Sequence, residues 1–411
     1  MKIILNRYSA RIFRLDYIYD NDNFIILAPK ERENKYDESI KRGDREAKVI
    51  FLEDYTLPNL VVKIRALKKE FLIDSITTLC EEYVDWAGFL DDHFVEKNTK
   101  SVSNLMFKDK FYMRSFLTDI VEQPYFRLLE SENDLRIFWE KSCTSTAIIK
   151  PRRGAACIGI KKIDKQTVLD ENYFGDHFII EEFVDVKTMI TCDGYAIGNS
   201  VKRFFVHDNV KLLLESLSST NGYYLLRTSR LYSDNDLIKL IFSECEKVIK
   251  EFSVKDELTP FHFEWFVDIS ERRVLLCEVG KRFGGGDIPD LINDVYNVNV
   301  LKEYWEIMSS SDNIKNINYG EIIKVPKKIS ATFALYKQAG HVQSIPDEKE
   351  LSWAEMVYLP LKIGEYVQAA ENIVENALMV RFQARNEIEL EERIEKLDTF
   401  SKGIIYSKLD N

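Results

Sequence analysis

At 411 residues the chain exceeds the size at which one core usually stops growing, and a composition 45% hydrophobic and 30% charged is that of an ordinary folded protein. The formal net charge of -11 argues against nucleic acid held on a basic surface. No apolar run approaches the roughly 20 residues of a bilayer span, and the opening MKIILNRYS turns polar too soon for a signal peptide.

A cytoplasmic protein of two or three lobes, with no nucleic-acid or membrane partner, is therefore expected. The six cysteines are scattered without a CxxC pair and read as reduced thiols. The five histidines show no paired ligand spacing, so any metal would be held by carboxylates.

In chain order, Lys2 to Leu5, Phe24 to Leu27 and Val49 to Leu52 read as short strands, and Leu60 to Leu67 as amphipathic helix. Asp74 to Leu79 reads as a further strand, and polar Thr99 to Asn104 as a connector. Helical period follows from Leu105 to about Glu140, broken at Pro124. Ala147 to Lys150, Gly159 to Lys161, Phe178 to Val184 and Met189 to Cys192 then suggest a small antiparallel lobe, with a hairpin signal at Asp193-Gly194.

Leu237 to Phe252 is a clear amphipathic helix with Ser233 and Asp234 as candidate caps. Two strands follow, Phe261 to Val267 and Val274 to Val279, joined by a polar turn at Ser270 to Arg273. Strands at Ile329 to Leu335 and Ala377 to Phe382 precede a charged helix from Glu387 to Leu397.

The strongest chemical feature is FHFEW, at 261 to 265, followed by CEVGKR, at 277 to 282. If the two strands pair, Glu264 and Glu278 project from one face, because alternate residues share a face. A carboxylate pair among apolar neighbours calls for a cation between them, and Mg²⁺ with bound phosphates meets that need. Arg282 then offers a donor fork to a phosphate or carboxylate. The plainer reading is two surface glutamates paired with lysine or arginine.

Gly284-Gly285-Gly286 permits close backbone approach to a ligand, or is a flexible turn. Lys150-Pro151 and the loop Arg152 to Gly159 could fold over phosphates, or form a basic surface hairpin; no Walker or dinucleotide fingerprint is present. Glu181-Glu182-Phe183-Val184 could present backbone groups to an adenine edge, or be a solvated strand. His262 shares the face of Glu264, as an orienting group or a packed histidine.

Taken in order, these segments resemble the ATP-grasp superfamily, and especially its carboxylate-amine ligases such as L-amino acid ligases and carnosine synthase. The resemblance implies a three-lobed α/β fold: an N-terminal α/β lobe over 1–103, an ATP-grasp core over 104–309 with a mobile lobe at about 140–190, and a C-terminal segment, 310–411, completing the last lobe. KDKFYMR, at 108 to 114, looks like the segment carrying the first nucleotide-binding lysine, Lys110. Lys150 looks like the second, with Gly154, Ala155, Cys157 and Ile158 in the phosphate-covering loop. Glu181 to Val184 look like the adenine hinge, Glu264 and Glu278 like the metal ligands, and Arg282 like the catalytic arginine. Arg282, Gly284, Gly285, Gly286, Asp287 and His262 are then the substrate contacts.

The chain departs from the pattern at Thr188, where relatives often have an acid for the ribose, and at Gly280, where many have asparagine. The resemblance implies ATP and Mg²⁺, with Mn²⁺ as a substitute, and activation of a carboxylate as an acyl phosphate for attack by an amine. It also implies small-molecule substrates and a homodimer. A carrier-protein thiol as acceptor, docked at a basic patch such as Lys202-Arg203, and a nucleotide-binding module without chemistry are the alternatives.

Overall fold

The computed structural model describes all residues except 20, 41–48, 96–98, 187, 212–215, 218, 220–221 and 408–411. Strands β1 (Lys2–Leu5), β2 (Phe24–Pro29), β3 (Val49–Leu52) and β4 (Ser75–Thr78) form a parallel sheet in the order β3-β2-β1-β4. Parallel strands need crossover connections and are buried on both faces, which is why these read as unbroken apolar runs. Helices α1 (Glu33–Ile40), α2 (Leu57–Leu67) and α3 (Val84–Val95) supply the crossovers and cover. Ile3, Leu5, Ile25 and Leu27 pack against Leu60, Ile64 and Leu90 on one face, while Ile4, Ile26 and Ala28 join the main core on the other.

The expected connector at Thr99 to Asn104 is instead the start of helix α4 (Lys100–Lys108). Its small polar residues serve close helix packing: a Cβ on Gly88 of α3 would lie 2.9 Å from Ser101 Cα. Asp92 accepts from the amides of Lys100 and Ser101, both at 2.9 Å. Asp109 then opens α5 (Lys110–Phe116) by accepting from the Phe111 amide at 3.0 Å.

A small antiparallel sheet follows, in the order β5-β8-β6-β7, built from β5 (Phe126–Leu128), β6 (Thr146–Pro151), β7 (Lys161–Asp164) and β8 (Phe178–Glu182). Helix α6 (Glu132–Lys141) covers it, with Phe138 against Ile149 and Ile180. The strand proposed at Gly159 begins at Lys161, because Gly159 takes a left-handed φ of 73° within the preceding loop. Met189 to Cys192 belongs to a different sheet altogether.

That sheet is antiparallel and eight-stranded, in the order β13-β12-β9-β10-β11-β14-β18-β16. It comprises β9 (Thr188–Ile197), β10 (Ser200–Asn209), β11 (Tyr223–Thr228), β12 (Leu258–Asp268), β13 (Arg273–Gly280), β14 (Ile329–Tyr336), β16 (Met356–Tyr358) and β18 (Asn376–Ala384). The short strands β15 (Gly340–Ser344), β17 (Tyr366–Val367) and β19 (Ile405–Tyr406) form a separate three-stranded sheet. Asp193-Gly194 is no turn: both residues lie inside β9, and the hairpin turns at Gly198-Asn199, with Gly198 at φ 52°. Glycine is required at 194 because a Cβ there would stand 1.9 Å from the Arg203 carbonyl oxygen of β10.

Helix α7 (Asn235–Phe252), capped by Asp234 accepting from the Leu237 amide at 3.0 Å, covers one face of the large sheet. Its buried Leu237, Ile241, Cys245, Val248 and Phe252 share a cluster with Ile190, Cys192, Phe204, Val206 and Phe263. Each such side chain contributes about 1.5–3 kcal/mol by leaving water. The remaining helices are α8 (Ile288–Tyr296), α9 (Val300–Ser309) and α10 (Glu387–Lys402). With α7 on one face, the opposite face of β13, β12, β9 and β10 is left for polar side chains.

Candidate active site

Glu264 on β12 and Glu278 on β13 are direct cross-strand partners, so their carboxylates leave one face side by side. A register shift just after Glu264 brings the Cys277 thiol to 3.8 Å from Glu264 Oε2. Cations surround the pair. Lys110 Nζ lies 2.8 Å from Glu278 Oε1, and His262 Nε2 lies 3.6 Å from Glu264 Oε1. Burial raises the Glu264 pKa, but the nearby His262 ring, with the charges of Arg282 and Lys150, outweighs it and holds the carboxyl below its ordinary value.

Among the described residues no group of three or more His, Cys, Asp and Glu side chains is arranged to hold a metal. The donor set is two carboxylates, which does not fit an all-protein cage. It does fit Mg²⁺, which takes one or two carboxylates and completes its shell with phosphate oxygens and water.

The loop after β6 folds over this pair. Lys110 Nζ donates to the Gly154 carbonyl at 2.8 Å, while Asp109, fully buried, holds Arg152 at 2.9 Å and Arg153 at 3.4 Å. Ala156, Cys157 and Gly159 take left-handed φ values of 54°, 62° and 73°. Burial pushes the Cys157 thiol up to about 12, and the charges of Glu264 and Glu278 push in the same direction. Ala155 accepts from the Ile158 amide at 3.1 Å, and the Ile158 side chain is exposed.

Lys150 pairs with Glu181, and Glu181 Oε2 also meets Arg114 at 2.9 Å. Arg114 further donates to the carbonyls of Leu276 and Cys277 at 2.7 and 2.8 Å, so this buried triad joins α5, the small sheet and β13. The Glu182 carboxylate accepts from the amides of Cys143 and Tyr125 at 2.7 and 3.3 Å. Glu181 and Glu182 thus both spend their side chains inside the protein. The Phe183 amide bonds the Thr146 carbonyl at 3.2 Å, whereas the Val184 amide has no backbone partner among the described residues.

Arg282 donates through Nε to Glu81 at 2.6 Å and through Nη1 to the Phe283 carbonyl at 3.0 Å. Burial would raise the Glu81 carboxyl, yet Arg282, Lys108 and Lys110 outweigh it and hold its pKa at about 2. Glu81 follows β4 of the N-terminal sheet and was not foreseen from the sequence. Neither were Lys108, 3.9 Å from Glu81, nor Arg114.

The glycine run lies against the same face. The Gly284 amide donates to Asp193 Oδ1 at 3.0 Å, and the Gly286 carbonyl accepts from Thr332 at 2.8 Å. A Cβ on Gly285 would meet nothing within 4 Å. Asp287 follows at φ 62°, 3.6 Å from Arg381, with burial and then Asp290 raising its carboxyl to about 6. His262 Nδ1 reaches Asp193 Oδ1 at 2.8 Å. Burial lowers the His262 pKa, but the Asp193 charge outweighs it and raises the ring to about 9.

The architecture just described is the ATP-grasp fold. Among solved structures the chain is similar to an L-amino acid ligase from Bacillus licheniformis, with TM-score 0.74 and 14% identity over 99% of this chain and 98% of that one. It is also similar to a carboxyaminoimidazole ribonucleotide synthase from Aspergillus clavatus complexed with ATP, with TM-score 0.68 and 14% identity over 98% and 99% of the two chains. A third is the biotin carboxylase domain of a 2-oxoglutarate carboxylase from Hydrogenobacter thermophilus, in complex with MgADP, ADP and bicarbonate. There the TM-score is 0.65 at 12% identity, over 99% and 90% of the chains. No protein-family model and no curated protein matches the sequence. Among the described residues no helix is long and apolar enough to cross a membrane.

Proposed function

We propose that this chain is an ATP-dependent ligase that activates a carboxylate, most simply that of an amino acid, as an acyl phosphate and joins it to an amine, releasing ADP and phosphate. The observation that carries this reading is the facing pair Glu264 and Glu278, ringed by Lys110, Lys150 and Arg282 beneath a glycine-containing loop. Neighbouring structures complexed with ATP and with MgADP support the same nucleotide and cation here.

In this reading the Val184 amide and the backbone of Glu181 to Phe183 receive the adenine. Lys150 has three donor protons and gives one direction to Glu181, leaving others for phosphate; Lys110 and the amides of Gly154 to Ile158 serve the remaining oxygens. Mg²⁺ or Mn²⁺ on Glu264 and Glu278 would neutralise phosphate charge. The substrate carboxylate, seated against Gly284 to Asp287, attacks the γ-phosphorus as the bond to ADP breaks. Arg282 Nη2, which has no partner among the described residues, meets the oxygens of the acyl phosphate. The amine then attacks the acyl carbon, phosphate leaves, and the nitrogen loses its proton. Closure of residues about 140–190 keeps water from competing.

A carrier-protein acceptor draws less support, because Arg203 of the expected docking patch is buried and pairs with Glu303. The test is ADP formation with Mg²⁺-ATP over a panel of amino acids with amine acceptors. Substrate-dependent ADP, absent in Glu278→Ala, is expected; ATP binding without ADP from any pairing would overturn the ligase reading.

A further inference from the structure

Asp193 is fully buried in the middle of β9, and one of its oxygens does two things. Oδ1 meets His262 Nδ1 at 2.8 Å and accepts from the Gly284 amide at 3.0 Å. The opposite ring nitrogen of His262 faces Glu264 at 3.6 Å. A single atom therefore joins the glycine run to a carboxylate of the facing pair. The junction is closed to anything larger: a Cβ on Gly284 would come within 2.5 Å of Asp193 Oδ1 and 2.7 Å of His262 Nδ1. Oδ2 is buried without a hydrogen bond, a costly state that an apolar strand residue would avoid.

Resting on the ligase reading, we propose that Asp193 is a positioning residue: it fixes the His262 ring and through it Glu264, and anchors the glycine run to the same point. The metal-side carboxylate and the substrate-side loop then share one reference. A partner that orients a ligating group in this way typically alters metal affinity or activity 10–100-fold when removed.

Asp193→Ala removes Oδ1 and with it both contacts, to the His262 ring and to the Gly284 amide. Asparagine would not serve, since its carbonyl oxygen could keep both.

The measurement is Mn²⁺ binding in the presence of ADP, followed by electron paramagnetic resonance, beside the melting temperature. We expect half-saturation weakened about 10–100-fold in Asp193→Ala and equally in His262→Gln. The double variant should be no worse than either single one, because both act through one path. Rates should be lost at low metal and largely recovered at high metal, a recovery that simple loss of structure would not show. Mn²⁺ binding within twofold of the parent in folded Asp193→Ala, or effects that multiply in the double variant, overturns the proposal; should Asp193→Ala fail to fold, His262→Gln decides alone. Glu264→Gln is the control: unchanged Mn²⁺ binding there overturns the metal assignment and this proposal with it, whereas a loss there without one in Asp193→Ala overturns only the proposal.

Discussion

Replacing Glu181 by glutamine separates an anchoring role from a ligand-reading one. Its carboxylate lies between Lys150 and Arg114, and the three side chains are 3%, 9% and 2% exposed, so solvent screens little of the interaction. Glutamine keeps the shape and one acceptor but leaves two buried cations without an anion. Breaking a buried pair from one side costs about 3–5 kcal/mol. With a urea slope of about 3 kcal/mol/M, the midpoint should fall by roughly 1 M or more. Tryptophan fluorescence is a suitable probe, since Trp139 lies on α6 against the same small sheet.

The acid dependence should change as well. Burial raises the Glu181 pKa, but Arg114 and Lys150 outweigh it and depress the folded value. Its contribution is therefore complete above the unfolded pKa of about 4.3 and is lost as pH falls through the folded one. Glu181→Gln should flatten that part of the stability profile. A midpoint within about 0.2 M of the parent, together with a raised KM for ATP, would refute the anchoring argument, since the slope in use converts that to well under 1 kcal/mol.

Three further outcomes are expected. Glu278→Ala should lower ADP formation at least about 100-fold, because it removes half of the carboxylate pair, with kcat falling more than KM for ATP. Glu81→Gln takes the anion from Arg282 Nε and should reduce kcat/KM for the carboxylate about tenfold, as Arg282 loses the group that orients it; steady-state kinetics with both substrates varied would show it. His262 is raised from an ordinary value of about 6.5 to about 9, so its contribution to stability is full below about 6.5 and is lost as pH climbs through about 9. Melting temperatures from pH 6 to 10 should decline over that window in the parent and stay flatter in His262→Gln.

How much of this was legible in the sequence follows from how local each cause is. Glu264 and Glu278 could be expected to meet because a two-residue period and a short polar turn between strands fix which side chains share a face. Helix α7 was equally plain, since its apolar spacing and Asp234 cap are both local. Asp193-Gly194 misled for the opposite reason. Asp-Gly is a strong hairpin signal, yet glycine is needed there by the carbonyl of Arg203 on a neighbouring strand. The polar stretch at Thr99 to Asn104 misled likewise, its small residues serving contact with Gly88 of α3.

Glu81 lies 201 residues from Arg282, and Arg114 lies 67 from Glu181, so no local pattern could pair them. One physical question would have narrowed the search. A charge inside an apolar run, such as Asp193 in MITCDGYAI, must be paired once it is buried, and its partner must come from a distant element. Asking where that partner sits points to the contacts at which lobes and loops are fixed to one another. In this chain those contacts, Asp193 with His262 and Glu81 with Arg282, lie beside the facing glutamates. Asp193 and Glu81, two charges that local pattern left unexplained, thus bind the glycine run and the N-terminal sheet to the candidate centre.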